Sequence, residues 1–145
     1  MADLSPRLRE IVDALPLRPG LRILEIGCGP GAAAREVARR VGPDGHVLAV
    51  DRSAKAIERL RSSAPELLAA GRLSTRVTPV EDLALGTGEA PFDLAFAIRV
   101  GALDGRHPGA GALALERLAQ VLAPGGRLYI DGGDPLREIA LPGRR

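Results

Sequence analysis

The chain has 145 residues, 46% of them hydrophobic and 26% charged, with a formal net charge of only +2. That describes one soluble domain long enough to bury a core without disulfide or metal staples. Two Phe, one Tyr and no Trp leave no aromatic platform on which bases could stack. The basic residues, all Arg except Lys55, are interleaved with acids instead of clustered, so they read as solvated faces and not as a nucleic-acid or membrane patch. A single cysteine, Cys28, forbids an intramolecular disulfide. The N-terminal residues lack a signal-peptide pattern, and no apolar run approaches the ~20 residues of a membrane span. The expectation is a cytoplasmic protein.

In chain order, Leu4, Leu8, Ile11, Val12 and Leu15 share one face of a helix opened by Ser5-Pro6 and stopped by Pro16 and Pro19-Gly20. Arg22 to Ile26 reads as a short buried strand entering a glycine turn. Ala32 to Val41 is a helix closed by Gly42-Pro43, and His46 to Val50 a second strand ended by Asp51. Ala54 to Ala70 is helical, with Pro65 as a kink or break and Gly71 as its cap. Leu73 to Val77 is a third strand, and Asp93 to Val100 an almost wholly apolar fourth. Ala110 to Leu122 is a helix stopped by Ala123-Pro124-Gly125-Gly126, and Arg127 to Asp131 is the fifth strand. Pro135 to Ala140 has room for one turn of helix. Apolar strands alternating with helices predict an α/β, Rossmann-like doubly wound parallel sheet of about five strands. One domain is expected over residues 1–145, with an N-terminal helix over 1–19, a core over 20–131 and a short tail over 132–145.

Ligands in such sheets bind beyond the carboxyl ends of the strands, beside the first one. The most unusual loop falls there: Glu25-Ile26-Gly27-Cys28-Gly29-Pro30-Gly31. Its glycines allow a tight turn and close backbone approach, and the helix after it offers free N–H groups. Asp51, ending the second strand, is placed to accept hydrogen bonds from both hydroxyls of a ribose. Loop, helix, strand and terminal acid in that order are much more specific than a glycine loop alone.

These residues resemble the first motif of class I S-adenosylmethionine-dependent methyltransferases. Val80-Glu81-Asp82-Leu83, Phe92-Asp93-Leu94 and Leu122-Ala123-Pro124-Gly125-Gly126-Arg127-Leu128 resemble that family's later motifs, in the same order. The resemblance covers residues 20–131 and implies methyl transfer from S-adenosylmethionine to an acceptor, expected to be a small molecule. It implies that Glu25, Gly27, Cys28, Gly29 and Gly31 surround the methionine part of the cofactor and that Asp51 holds the ribose. Arg52 would lie against the adenine, where the family more often has an apolar residue. Pro79-Val80 replaces the family's usual Asp-Ala, so the Val80 backbone with Glu81 or Asp82 must hold the base. Ile98 and Arg99 would line the methionine side.

Two other readings compete: a cofactor-binding module or partner subunit without transfer activity, and an NAD(P)-dependent oxidoreductase. The second rests on Gly27-x-Gly29-x-x-Ala32, a loose dinucleotide fingerprint. Glu25 argues against it, because an acid suits a cationic methionine ammonium and not a pyrophosphate. His107 follows the fourth strand, where a general base could act, with a surface role as the plainer alternative. Cys28 reads as a small packing residue, His46 as a surface residue, and no set of ligands suggests a metal. An open fifth strand would be an edge that Leu136, Ile139 and Leu141 cover only thinly. A homodimer through that strand or the C-terminal segment is therefore expected.

Overall fold

Ser5 starts the first helix, α1 (Pro6–Ala14), by accepting the Leu8 amide at 3.2 Å. The computed structural model describes residues 4–144. The strand β1 (Arg22–Ile26) leads through the glycine loop to α2 (Ala32–Val41), then β2 (His46–Asp51). The expected long helix is divided at Pro65 into α3 (Ala54–Ser63) and α4 (Pro65–Ala69), since proline cannot donate the amide that would continue it. There follow β3 (Leu73–Val77), a single 3-10 turn (Val80–Asp82), β4 (Phe92–Ala97), α5 (Pro108–Val121), β5 (Leu122–Asp131) and β6 (Leu136–Ile139).

The six strands lie in the order β3-β2-β1-β4-β5-β6. All neighbours are parallel except β5 and β6. The order in which strands are added reverses between β1 and β4, and because these strands are parallel the loops after β1, β2 and β4 lie along one edge. Side chains alternate between two apolar layers. Ile23, Val47, Ala49 and Phe96 pack with Val12, Val37, Val41, Ile57 and Leu60 of α1 to α3. Leu24, Leu48, Ala95 and Leu128 pack with Ala114, Leu118 and Val121 of α5. The core is aliphatic apart from Phe92 and Phe96.

Four expectations are corrected. The sheet has six strands, because Leu136–Ile139, read as part of a helical turn, pairs antiparallel with Leu128–Asp131. The fifth strand is consequently paired on both sides and is not an edge. β4 ends at Ala97, leaving Ile98 and Arg99 in the loop beyond it. β5 begins at Leu122, so the Pro-Gly-Gly segment belongs to the strand, with a register shift between Phe92 and Leu94 absorbing the irregularity. Two polar residues also differ from their surface reading. Arg35 is buried, and His46 is half-buried, its Nδ1 donating to Gly71 O at 2.8 Å and its Nε2 meeting Ser74 Oγ at 2.7 Å.

Candidate cofactor site

The loop after β1 is fixed from three directions. The Gly27 and Cys28 amides both donate to Val50 O, at 2.9 and 3.1 Å, which ties the loop to the end of β2. Asp51 accepts the Gly29 amide on Oδ2 at 3.0 Å and the Ser53 amide on Oδ1 at 2.8 Å. Its carboxylate therefore joins the loop to the start of α3 while lining the cleft. From below, Arg35 Nη1 donates to Pro30 O at 3.1 Å and to Ser63 Oγ at 2.7 Å. No periodicity rule announces that a charged helical residue will brace a loop from inside the core.

These elements border a cleft of about 480 Å³, a volume in the range of small-molecule sites. Of the residues expected from sequence, Gly27, Gly29, Asp51, Arg52, Val80, Glu81, Arg99 and His107 line it. The others stand apart. Glu25 is buried beneath the loop, level with Ala49 and Phe96 on the flanking strands. Cys28 is buried, Gly31 packs on Leu60, Asp82 is exposed on the 3-10 turn, and Ile98 leans on the core. The cleft also takes Thr78, Val100, Gly101, Ala102, Arg106 and Ala110, which tertiary position alone brings there.

Burial, and secondarily the charge of Asp51, pushes the Glu25 carboxyl well above its ordinary value of 4.5. Its Oε1 is buried with no hydrogen-bond partner. An orphaned carboxyl oxygen of this kind is costly unless a ligand supplies a donor. The Cys28 thiol is pushed up to about 12, by burial first and then by Glu25 and Asp51. A thiol held that high stays protonated at neutral pH, in keeping with a packing role. His107 lies over Gly101, where an added Cβ would meet its Cδ2 at 2.8 Å.

These residues fit a cationic amino acid joined to a ribonucleoside. Glu25 lacks a donor, Asp51 presents a carboxylate to the cleft, and a Cβ built on Gly29 meets no protein atom within 4 Å. The open space at Gly29 is room for a ligand to touch backbone.

Comparison with known proteins identifies the family. A family described as "Methyltransferase domain" matches residues 17–141. The chain is 34% identical over 139 residues to nocamycin O-methyltransferase of Saccharothrix syringae, covering 94% of this chain and 47% of that protein. It is 38% identical over 125 residues to a protein-L-isoaspartate O-methyltransferase of Methylorubrum populi, covering 86% of this chain and 51% of the relative. A solved S-adenosylmethionine-dependent methyltransferase from Mesorhizobium loti superposes with a TM-score of 0.65 at 28% identity, covering 86% of this chain and 51% of that one. The chain belongs to the class I S-adenosylmethionine-dependent methyltransferases, whose cofactor is S-adenosylmethionine. It spans about half the length of these relatives. The dinucleotide reading of the glycine loop is overturned by this membership.

Proposed function

We propose that the protein transfers the methyl group of S-adenosylmethionine to an oxygen of a small-molecule acceptor. The observation that carries the reading is the buried, unpartnered Glu25 Oε1 beneath the glycine loop. Glu25 holds the methionine ammonium, Gly27 and Gly29 give backbone approach, and Asp51 takes the ribose hydroxyls. Val80, with Glu81, flanks the base. Arg52 and the residues Cys28, Gly31, Asp82 and Ile98 belong to the proposed surroundings, most of them by shaping the loops, while Arg99 lines the cleft on the side away from Arg52.

Bound S-adenosylmethionine supplies an electrophilic methyl on a sulfonium; the acceptor oxygen forms the new C–O bond as the C–S bond breaks, its electron pair staying on sulfur. The chain's own contribution is to hold both partners in line and exclude water, which accounts for much of the acceleration in such displacements. His107, beside the cleft mouth, is the proposed base for an acceptor that must lose a proton. The oxygen preference is supported by the O-methyltransferases among the relatives.

Calorimetry with S-adenosylhomocysteine tests the site, followed by a labelled-methyl assay across an acceptor panel. Binding that weakens in Glu25→Gln, together with label transfer, is the expected result. Binding without transfer would favour the second reading, a cofactor-binding module. A neighbour of the same fold is a [4+2]-cyclase, with a TM-score of 0.69 and 26% identity, so the scaffold does not dictate transfer. A homodimer and a cytoplasmic location complete the proposal. Since β5 is paired on both sides, the dimer now rests on the outer edge of β6, and sedimentation at micromolar concentration decides it.

A further inference from the structure

Arg99 is the one non-glycine residue with positive φ among the described residues, at 59°. A side chain is sterically disfavoured there and persists only where the surroundings dictate it. The bracing is explicit. The Arg99 amide donates to Asp131 Oδ1 at 3.0 Å, and its carbonyl accepts from Arg106 Nη2 at 3.4 Å. Arg106 is itself held by Asp104, with Nε 3.0 and 2.8 Å from the two carboxylate oxygens. The Leu103 and Asp104 amides close the loop on Val100 O, at 3.0 and 3.1 Å.

All of these bonds act on backbone, and none occupies the Arg99 guanidinium. Arg99 lines the cleft and is exposed, and no carboxylate of the described residues lies within ion-pair distance of its guanidinium. The acids of this region are committed elsewhere: Asp104 to Arg106, and Asp131 Oδ2 to Arg7 at 3.2 Å. Arg52 stands on the opposite side of the cleft, after β2, with Asp51 and Glu81 lining the same side. The wall built from the β4–α5 loop thus carries, on a braced backbone, a guanidinium with no ion-pair partner among the described residues, with His107 lining the same cleft.

We propose that the acceptor is anionic: a small molecule bearing a carboxylate, which the Arg99 guanidinium grips on the β4–α5 wall of the cleft. The proposal rests on the methyltransferase reading above and assigns Arg99 to acceptor choice instead of donor binding. A planar guanidinium presents paired donors that match a carboxylate. One unpaired guanidinium on that wall also balances a monoanion better than a phosphate dianion. Because the backbone is already held in its strained conformation, the ordering left for the moment of binding is that of the Arg99 side chain.

The test uses the full chain saturated with S-adenosylhomocysteine. Acetate, benzoate and succinate, each beside its amide, are titrated while NMR follows the Arg99 Nε–H resonance. At least one acid should give a saturable shift with roughly tenfold or greater preference over its amide, a difference expected for one charge-assisted pair. Arg99→Gly, which suits the positive φ and so keeps the loop, should abolish that preference, and Arg99→Lys should keep only part of it. S-adenosylhomocysteine affinity should hold within about threefold in both variants. Equal responses to acids and amides would overturn the proposal, as would tighter binding of methyl phosphate. A large loss of S-adenosylhomocysteine affinity in Arg99→Gly would also overturn it, returning the guanidinium to the donor side. If the unmodified protein does not bind S-adenosylhomocysteine, the methyltransferase reading itself fails, a result distinct from all of these.

Discussion

Glu25 and Asp51 are both acids at strand ends, yet their surroundings give them opposite tasks. Glu25 sits level with apolar Ala49 and Phe96 and has its carboxyl raised, mainly by burial and then by the charge of Asp51. The unfolded chain ionises near 4.5, whereas the folded chain holds the proton to higher pH. Stability contributed by this group is therefore full below pH 4.5 and is lost as pH rises toward the raised folded value. Thermal melts of the ligand-free protein should show this loss, and Glu25→Gln should remove it. Binding of a cationic ammonium favours the carboxylate, so S-adenosylhomocysteine affinity should rise with pH in the native protein and stay flat in the variant. Calorimetry in buffers of different ionisation enthalpy would register the released proton. Asp51 already accepts two backbone amides while lining the cleft, where the proposed function gives it the ribose hydroxyls. Asp51→Ala should weaken S-adenosylhomocysteine binding by more than about tenfold, since each charge-assisted bond lost is worth ~1.5–3 kcal/mol. Unchanged affinity would remove Asp51 from the site.

The glycine loop separates two roles that the sequence presents as one motif. Gly29 has φ 53°, and an added Cβ would meet nothing. Gly31 has φ 90°, and an added Cβ would run into the Leu60 side chain, which is fully buried. Gly29→Ala should therefore cost about 1–2 kcal/mol of stability from backbone strain alone. It should still weaken cofactor binding if the proposed site is right, because its methyl enters the open space at the cleft. Gly31→Ala adds overpacking to strain and should cost about 3 kcal/mol or more, with the melting temperature falling before any binding effect is read. Urea denaturation with parallel calorimetry distinguishes the two. The loop was legible because its information is local: spacing, φ-permissive residues and a terminal acid. The helices with capped ends were legible for the same reason, and α2 begins and ends where Gly31 and Gly42 place it. What was not legible depends on partners distant in the chain. Arg35 reads as a solvated charge until Pro30 and Ser63 are brought to it. Thr78, Gly101 and Ala110 enter the cleft only because three loops meet there.

At the scale of the whole molecule, the least legible part is the last strand. Leu136–Ile139 contains too few residues to declare a period, and its pairing with β5 is fixed by the ladder and not by its own sequence. The strand after which the fold was expected to stop is thereby covered, and the segment beyond it returns to the centre. Leu141 is buried in the layer under α5. Arg144 donates to three carbonyls at the junction of α5 and β5: Ala119 O at 2.9 Å, Leu122 O at 2.7 Å and Ala123 O at 2.6 Å. A helix ending directly in a strand leaves its last carbonyls without intrahelical partners, and a cation there satisfies them and opposes the helix dipole. The C-terminal segment thus acts as a cap on the α5–β5 corner as well as a sixth strand. Arg144→Ala should destabilise the protein by about 2 kcal/mol, the worth of charge-assisted bonds to carbonyls that are only partly reached by water. Leu141→Ala should cost about 2–3 kcal/mol by lost burial and the cavity left behind. Deleting residues from 134 onward removes both and bares the β5 edge, so the shortened chain should unfold at lower urea and associate through that edge. Equilibrium denaturation with sedimentation of the three variants is the check. A shortened chain as stable and as dispersed as the original would mean that the sheet is complete at five strands.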